Sequence, residues 1–169
     1  FTYVEGGGFA TGDTMVKFLK ANNIHTEYTV RTKYKNNFGL ATLSAYPVVD
    51  GGRINFPGKT NNLCIFSDIV IGNDTIRIFN VHFESIHFTN EDYKFAQKLA
   101  DDIDLKNHKE IEYNSKRIIA RLRKAFVARA AQAEIVSKNI LQSPYPTIVC
   151  GDFNDTPGSY TYHKVAKGL

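Results

Sequence analysis

A long helical pattern followed directly by a short apolar strand limits the possible folds of this chain more than any other feature. Apolar side chains recur every three or four residues along one face of the segment 118–140. They are Ile118, Leu122, Phe126, Ala130, Ala133, Val136 and Ile140. Pro144 and Pro146 end the helical pattern, and an apolar strand then runs from Thr147 to Cys150. The whole helical region is predicted from about Glu91 to Leu141.

Strand-like segments precede this helical region. They are predicted at 26–31, 39–44, 63–71 and 75–83. The last two are joined by Gly72-Asn73-Asp74, a loop typical of β-hairpins, so we expect them to pair antiparallel. The order of strands, helix and strand predicts a layered α/β fold with mixed or antiparallel sheets.

The composition indicates one globular domain over residues 1–169. Hydrophobic residues make up 43% of the 169 residues and charged residues 22%, which is enough apolar material for a core. No apolar run approaches the ~20 residues that a helix needs to cross a bilayer. The net charge of +4 favours a polyanionic partner: nucleic acid, an anionic lipid headgroup or a phosphorylated small molecule. We expect a monomer.

The short strand after the helix ends in Gly151-Asp152-Phe153-Asn154, a sequence suited to a site at a strand end. A glycine allows the backbone to turn, and a carboxylate and an amide follow two positions apart on the same side. Asp152 is suited to binding a hard cation or orienting a water molecule, and Asn154 to holding a phosphoryl oxygen. The alternative is an Asx turn, in which both side chains bond only their own backbone.

Two polar side chains share one face of the strand 75–83. Asn80 and His82 lie two positions apart among apolar residues, and burying either without a partner would cost ~1–3 kcal/mol. A lone histidine in such a strand is usually a satisfied core residue. The asparagine on the same face makes a functional site more plausible here.

In these motifs the sequence resembles the endonuclease/exonuclease/phosphatase family, which includes deoxyribonuclease I-like nucleases. Its glycine-to-Ser-x-Tyr-Pro strand is similar to 39–48, its Asn-x-His strand to 78–82 and its Gly-Asp-x-Asn loop to 151–154. The helix that usually precedes that loop resembles the stretch from Arg129 to Gln132, and Arg129 is expected to support the fold. The segment from Lys94 to Lys124 looks like a family-specific insertion.

The resemblance implies a four-layer α/β/β/α sandwich of the deoxyribonuclease I-like type and a divalent-metal-dependent phosphoester hydrolase. Asp152 would activate the attacking water and contact Mg²⁺ or Mn²⁺. Asn154 would orient the phosphate and water and contribute to the metal site, and His82 would hydrogen-bond the scissile phosphate. Asn80 and Ser44 would be substrate-binding residues.

Other parts of the family pattern are missing from the sequence. The family's Gln-Glu metal motif belongs on an early strand, and Glu5 is the one candidate for its glutamate. The family's later Asp and its Ser-Asp-His ending have no counterpart. We therefore expect a partial domain, incomplete at both ends and inactive in isolation. A phosphodiesterase or nuclease, a sphingomyelinase-like lipid phosphodiesterase, a small-molecule phosphatase and a catalytically inactive binding module of this fold all remain open.

A basic stretch lies within the helical region. No acidic residue occurs between Tyr113 and Ala133, whereas six cations do: Lys116, Arg117, Arg121, Arg123, Lys124 and Arg129. One interpretation is a surface that follows a phosphate backbone. The other, which we favour from sequence, is a solvated helix face balanced by acidic residues nearby in the chain.

Overall fold

The computed structural model describes residues 2–5, 16–31, 37–100 and 108–169, with the side chains of 2–5 outside the description. Within these residues, seven strands form two sheets. The first sheet contains β1 (Thr2–Glu5), β2 (Asn23–Val30) and β3 (Asn37–Ser44), in the order β1-β3-β2 with antiparallel pairing. The second contains β4 (Val48–Asn55), β5 (Leu63–Ile71), β6 (Asp74–His82) and β7 (Thr147–Asp152), in the order β4-β5-β6-β7.

Three helices complete the regular structure of the described chain: α1 (Asn90–Ala100), α2 (His108–Leu141) and α3 (Tyr160–Ala166). Residues 16–19 are also helical. The predicted helical region therefore contains two helices, and the segment 101–107 between them lies outside the described residues. None of the described helices is both long and apolar enough to cross a membrane.

The hairpin of β5 and β6 forms the centre of the molecule, because its two faces contact different layers. Leu63 and Ile65 of β5 are fully buried with Leu40 of β3, so this face packs on the first sheet. Cys64 lies on the opposite face of β5 and packs towards the helices. Apolar residues on both faces explain why the sequence pattern of this strand was so clear.

The helical layer covers the second face of the second sheet. Ala133, Val136 and Ile140 of α2 pack with Val165 of α3 against Phe79 and neighbouring side chains of β6. These are three of the seven residues that the periodic pattern placed on the apolar face of α2, whereas Phe126 of that set is exposed. The described part of the chain thus contains two packed sheets with helices on the second sheet, the α/β sandwich architecture expected from the sequence.

Strand β4 was not predicted, because Asp50, Gly51 and Gly52 interrupt any apolar alternation. The two glycines are required by packing. A Cβ atom at Gly51 would lie 2.8 Å from the His25 ring, and one at Gly52 would lie 2.6 Å from the Phe66 ring. Rings from other strands occupy the space where side chains of β4 would otherwise lie.

A buried acidic residue joins α1 to α2. Thr89 and Asp92 form a capping box at the start of α1: the Thr89 amide donates to Asp92 Oδ2 at 2.8 Å, and the Asp92 amide donates to Thr89 Oγ1. Arg117 Nη2 of α2 lies 2.9 Å from Asp92 Oδ1, and Arg121 Nε lies 3.2 Å from Asp92 Oδ2. The two helices are therefore held together by one carboxylate.

Replacing Asp92 by Asn should destabilise the protein at neutral pH and have a smaller effect in acid. Hydrogen bonds from Thr89, then the contact with Arg117, lower the pKa of Asp92. The stability supplied by the carboxylate is therefore complete above the unfolded pKa, ~3.9, and is lost as the pH falls towards the folded pKa. The urea midpoints of the wild type and Asp92→Asn should differ at neutral pH and converge in acid. Glu91→Gln is the control, because Glu91 is exposed and contacts the same Arg117. A midpoint difference that does not change with pH would contradict this role.

Candidate functional site

Three of the predicted site residues, His82, Asp152 and Asn154, lie at or just after the ends of two neighbouring strands. Strand β7 pairs parallel with β6, so the carboxyl ends of both strands lie at the same edge of the sheet. His82 is directly opposite Asp152 in this pairing. The Phe83 amide continues the pairing by donating to the Asp152 carbonyl at 3.0 Å. Two motifs separated by about 70 residues in sequence are thus adjacent in the fold.

Gly151 allows the two strands to approach at this point. Its φ angle is +135°, in a region that side chains rarely adopt, and an added Cβ would lie 2.0 Å from the Val81 carbonyl oxygen. That oxygen belongs to the backbone of β6, so it cannot shift to accommodate a side chain. The glycine of the Gly-Asp-x-Asn loop is therefore needed to place Asp152 beside His82.

Asp152 and Asn154 form the tight turn that the sequence offered as an alternative to a site. Asp152 Oδ1 accepts from the Asn154 amide at 2.9 Å, and Asn154 has a φ angle of +50°. Asn154 Nδ2 donates to the Phe83 carbonyl at 2.9 Å. Asp152 Oδ2 and Asn154 Oδ1 have no hydrogen bond within the described residues. The turn therefore leaves two hard oxygen atoms available, the ligand type that Mg²⁺ accepts alongside several waters.

Asn80 makes a structural bond between the two sheets. It is 4% exposed, and its Nδ2 donates to the Ala41 carbonyl of β3 at 3.0 Å. Its Oδ1 is buried without a partner among the described residues. Burying this oxygen atom without a hydrogen-bond donor lowers the free energy of unfolding. The predicted contact of Asn80 with substrate remains a prediction.

Two other predicted residues lie at opposite ends of β3: Ser44 ends the strand, whereas the Glu5 backbone pairs with Asn37 at its start. Ser44 is the last residue of β3, and its hydroxyl accepts from the Tyr46 amide at 2.9 Å. His82 shares a cavity with residues 38–40, at the other end of β3. Glu5 is the last residue of β1, but its side chain lies outside the described residues. Both assignments remain predictions.

A polar cleft opens beside His82. Its volume is about 730 Å³, within the range of small-molecule sites. Two loops form its walls: one is 58–62, between β4 and β5, and the other is 84–87, after β6. The loops contribute Lys59, Thr60, Asn61, Asn62, Glu84, Ser85 and His87. The one carboxylate of the lining, Glu84, is paired with His87. A cleft that also contains a lysine, a second histidine and several amide and hydroxyl groups suits a phosphate-bearing ligand.

His87 is a cleft residue that the sequence analysis did not single out. Its φ angle is +55°, an uncommon conformation for a residue with a side chain. Its Nε2 lies 3.1 Å from Glu84 Oε1, its Nδ1 lies 3.2 Å from Ser85 Oγ, and Arg121 of α2 donates to its carbonyl at 2.9 Å. The sequence signal that could have identified it was the group of polar residues Glu84, Ser85 and His87, which follow the strand that ends at His82.

Two side chains of helix α2 hold the segments that follow β6 and β7. Arg129 is fully buried, and it donates to Asp155 Oδ2 and to the Glu84 carbonyl, each at 2.9 Å. Gln132 Oε1 accepts from the Glu84 amide at 2.9 Å. One helix thus holds the residues after both strand ends. This geometry confirms the expectation that Arg129 supports the fold.

Comparison with known proteins agrees with this architecture. A sequence model of the Endonuclease/Exonuclease/phosphatase family matches residues 8–169. The human nocturnin catalytic domain is structurally similar, with 17% identity, a TM-score of 0.56 and coverage of 92% of this chain and 50% of that domain. This chain therefore spans about half the length of that domain. At this identity, the similarity shows a shared fold.

Two further structures are more distantly similar, and no curated protein sequence matches the chain. Sphingomyelinase C from Streptomyces griseocarneus has 14% identity and a TM-score of 0.48, over 81% of this chain and 40% of its own. ANGEL2, a 2′,3′-cyclic phosphatase, has 16% identity and a TM-score of 0.46, over 98% and 42%. Scores below 0.5 add nothing to the fold assignment. The family match and the nocturnin fold confirm the predicted fold class.

Proposed function

Because the chain belongs to the endonuclease/exonuclease/phosphatase family, we propose that it is the part of a divalent-metal-dependent phosphoester hydrolase that holds phosphate and activates water. One observation carries the proposal: His82 and Asp152 are direct neighbours across β6 and β7, at the strand ends beside a polar cleft. A histidine donor and a free carboxylate oxygen at one edge are the groups that phosphoester hydrolysis requires.

Each side chain has a distinct role in the proposed reaction. Asp152 accepts the proton of the attacking water. His82 donates to a nonbridging phosphoryl oxygen, on which negative charge increases in the transition state. Asn154 uses one amide hydrogen for the Phe83 carbonyl, and its other hydrogen is available to the same phosphoryl group. Lys59 adds positive charge to the cleft and attracts an anionic substrate.

Asp152 and Asn154 are the proposed protein ligands of the metal ion, with Glu5 as a further candidate. Bound Mg²⁺ or Mn²⁺ would supply positive charge at the phosphoryl oxygens. The free oxygens of Asp152 and Asn154 support this assignment. In the described part of the chain, no group of three or more His, Cys, Asp or Glu side chains could hold a metal. The proposed ion is therefore held by few protein ligands together with water and substrate, a common arrangement for Mg²⁺.

The substrate class stays open among three candidates: nucleic acid, a phospholipid headgroup and a small phosphorylated molecule. Asn80 and Ser44 are proposed as substrate-binding residues on the family resemblance alone. A catalytically inactive binding module is the second candidate function. This candidate is favoured by the hydrogen bonds that Asp152, Asn154 and Arg129 make within the protein. These bonds explain much of the loop conformation without any reaction.

The natural full-length protein should hydrolyse a general phosphodiester such as bis(4-nitrophenyl) phosphate only when a divalent metal is present. EDTA should reduce the rate to background, and excess Mg²⁺ or Mn²⁺ should restore it, because the ion offsets the transition-state charge. Adding NaCl of the same ionic strength after EDTA is the control, and it should not restore the rate. Hydrolysis that continues unchanged in EDTA would contradict the metal assignment. A protein that binds phosphate esters without turnover would support the binding module.

A further inference from the structure

Helix α2 extends far beyond the sheet edge where the candidate site lies. Arg129 and Gln132 contact residues just after the ends of β6 and β7, so the helix crosses the level of the strand ends there. The helix begins at His108, and at 1.5 Å per residue its first part rises about 30 Å past that level. This projecting arm, residues 108–128, lies on the same side of the molecule as the opening of the site.

On the side of the arm that faces α1 and the cleft, two cations are paired. Arg117 and Arg121 contact the buried Asp92, and Arg121 also donates to the His87 carbonyl. These contacts fix the arm to α1 and to the wall of the cleft. The cations of this side are therefore structural and are not available to a partner.

The outer side of the arm has a different composition. Ile119 is 61% exposed and Val127 is 64% exposed, and both line one shallow groove along the outside of the helix. Arg123 and Lys124 lie between them in the groove and have no ion pair within the described residues, whereas Lys116 at the end of the groove pairs with Glu112. The outer stripe, defined as Ile119, Arg123, Lys124 and Val127, thus combines exposed aliphatic groups with unpaired cations.

We infer that the outer stripe docks the protein on an anionic phospholipid bilayer. A helix face with aliphatic groups bordered by lysine and arginine inserts its apolar groups at the level of the lipid headgroups and places its cations against lipid phosphates. Charge complementarity argues for this occupant, since no acidic residue interrupts the helix from 113 to 133. The inference stands independently of the proposed function, because binding is measured without turnover.

Two other occupants fit the stripe less well. A nucleic-acid backbone pairs with cations but offers little to exposed isoleucine and valine. A second copy of the chain would place Arg123 and Lys124 against the same cations of its partner. Anionic lipid satisfies both the apolar and the charged residues of the stripe.

The test is cosedimentation of the natural full-length protein with vesicles of phosphatidylcholine, with and without phosphatidylserine. Binding should require phosphatidylserine and weaken with salt. Arg123→Gln with Lys124→Gln should lower the partition coefficient roughly 30-fold, since each cation near an anionic surface contributes about a factor of five. Ile119→Ser with Val127→Ser should also reduce binding, with salt sensitivity retained.

A matched control removes the same charge elsewhere on the surface. Lys138 and Lys167 are exposed and lie outside the arm, so Lys138→Gln with Lys167→Gln should leave binding within about threefold of wild type. Melting temperatures of all variants should be unchanged, because every replaced side chain is exposed or in the open groove.

Several results would overturn the inference. They are equal binding to both vesicle types, no binding to either, and an equal loss in the control and stripe variants. Binding of a single-stranded oligonucleotide in preference to vesicles, lost with Arg123 and Lys124, would assign the stripe to nucleic acid instead. A concentration-dependent dimer that disappears with Ile119→Ser and Val127→Ser would assign it to a second copy.

Discussion

Replacing Asp152 by Asn in the natural full-length protein is expected to reduce kcat by ~100-fold or more, with a smaller change in KM. The substitution removes the charge that the proposed mechanism needs for activating water and holding the metal. It should preserve the loop, because an asparagine Oδ1 at this position can still accept from the Asn154 amide as Asp152 Oδ1 does. Steady-state kinetics and thermal melting should be measured on the same preparations.

Asp74→Asn is the matched control for charge. Asp74 is exposed and begins β6, at the opposite end of the strand from His82. It should leave both kcat and the melting temperature near wild type. A variant at Asp152 that loses stability while keeping kcat within a fewfold of wild type would show that the loop is only a turn, and the proposed function would fail.

His82→Ala and Asn154→Ala should also lower kcat strongly, because each removes a donor aimed at the phosphoryl group. The two variants should differ in stability. Asn154 adopts a φ angle of +50° and donates to the Phe83 carbonyl, so its replacement by alanine costs loop stability as well as activity. His82 has no such structural bond among the described contacts, and its variant should melt close to wild type.

Replacing Arg129 by Met is expected to destabilise the protein by about 3 kcal/mol or more. The guanidinium is fully buried and bonds both Asp155 and the Glu84 carbonyl, so its loss leaves a carboxylate and a carbonyl without their donor. Removing one partner of a buried pair typically costs about 3–5 kcal/mol. Methionine retains helix propensity and apolar volume, which isolates the loss of the polar bonds. The free energy of unfolding from urea denaturation measures the effect.

Arg123→Met on the same helix is the control, because Arg123 is exposed and has no ion pair within the described residues. It should change the free energy of unfolding by no more than about 0.5 kcal/mol. Equal destabilisation by the two substitutions would show that helix propensity, and not the loss of the buried hydrogen bonds, accounts for the effect at Arg129.

Elements with a clear local pattern were predictable from the sequence. The hairpin of β5 and β6, the apolar face of α2 and the strand leading to Gly151 all follow from periodicity and turn chemistry within short windows. The adjacency of His82 and Asp152 required one further step, the resemblance of both motifs to a single family. Parallel pairing then places the two strand ends together.

Other features depend on contacts between segments far apart in the chain. Strand β4 has no apolar alternation, and its glycines accommodate the His25 and Phe66 rings of other strands. The helix α3 was not predicted either. Its N-cap is Ser159, whose hydroxyl accepts from the Tyr162 amide, and the helix buries only Thr161 and Val165. Seven residues give too short a window for a helical period to be recognised.

The cations of α2 show most clearly what a sequence determines and what it leaves to the tertiary structure. The sequence determined that the helix carries six cations and no acid between Tyr113 and Ala133. Lys116 pairs with Glu112 on the same helix. Only the fold decided the partners of the arginines, because Asp92 and Asp155 reach Arg117, Arg121 and Arg129 from outside the helix. Helical periodicity specifies which way a side chain points. The charge that it meets there comes from segments whose position depends on the packing of the whole chain.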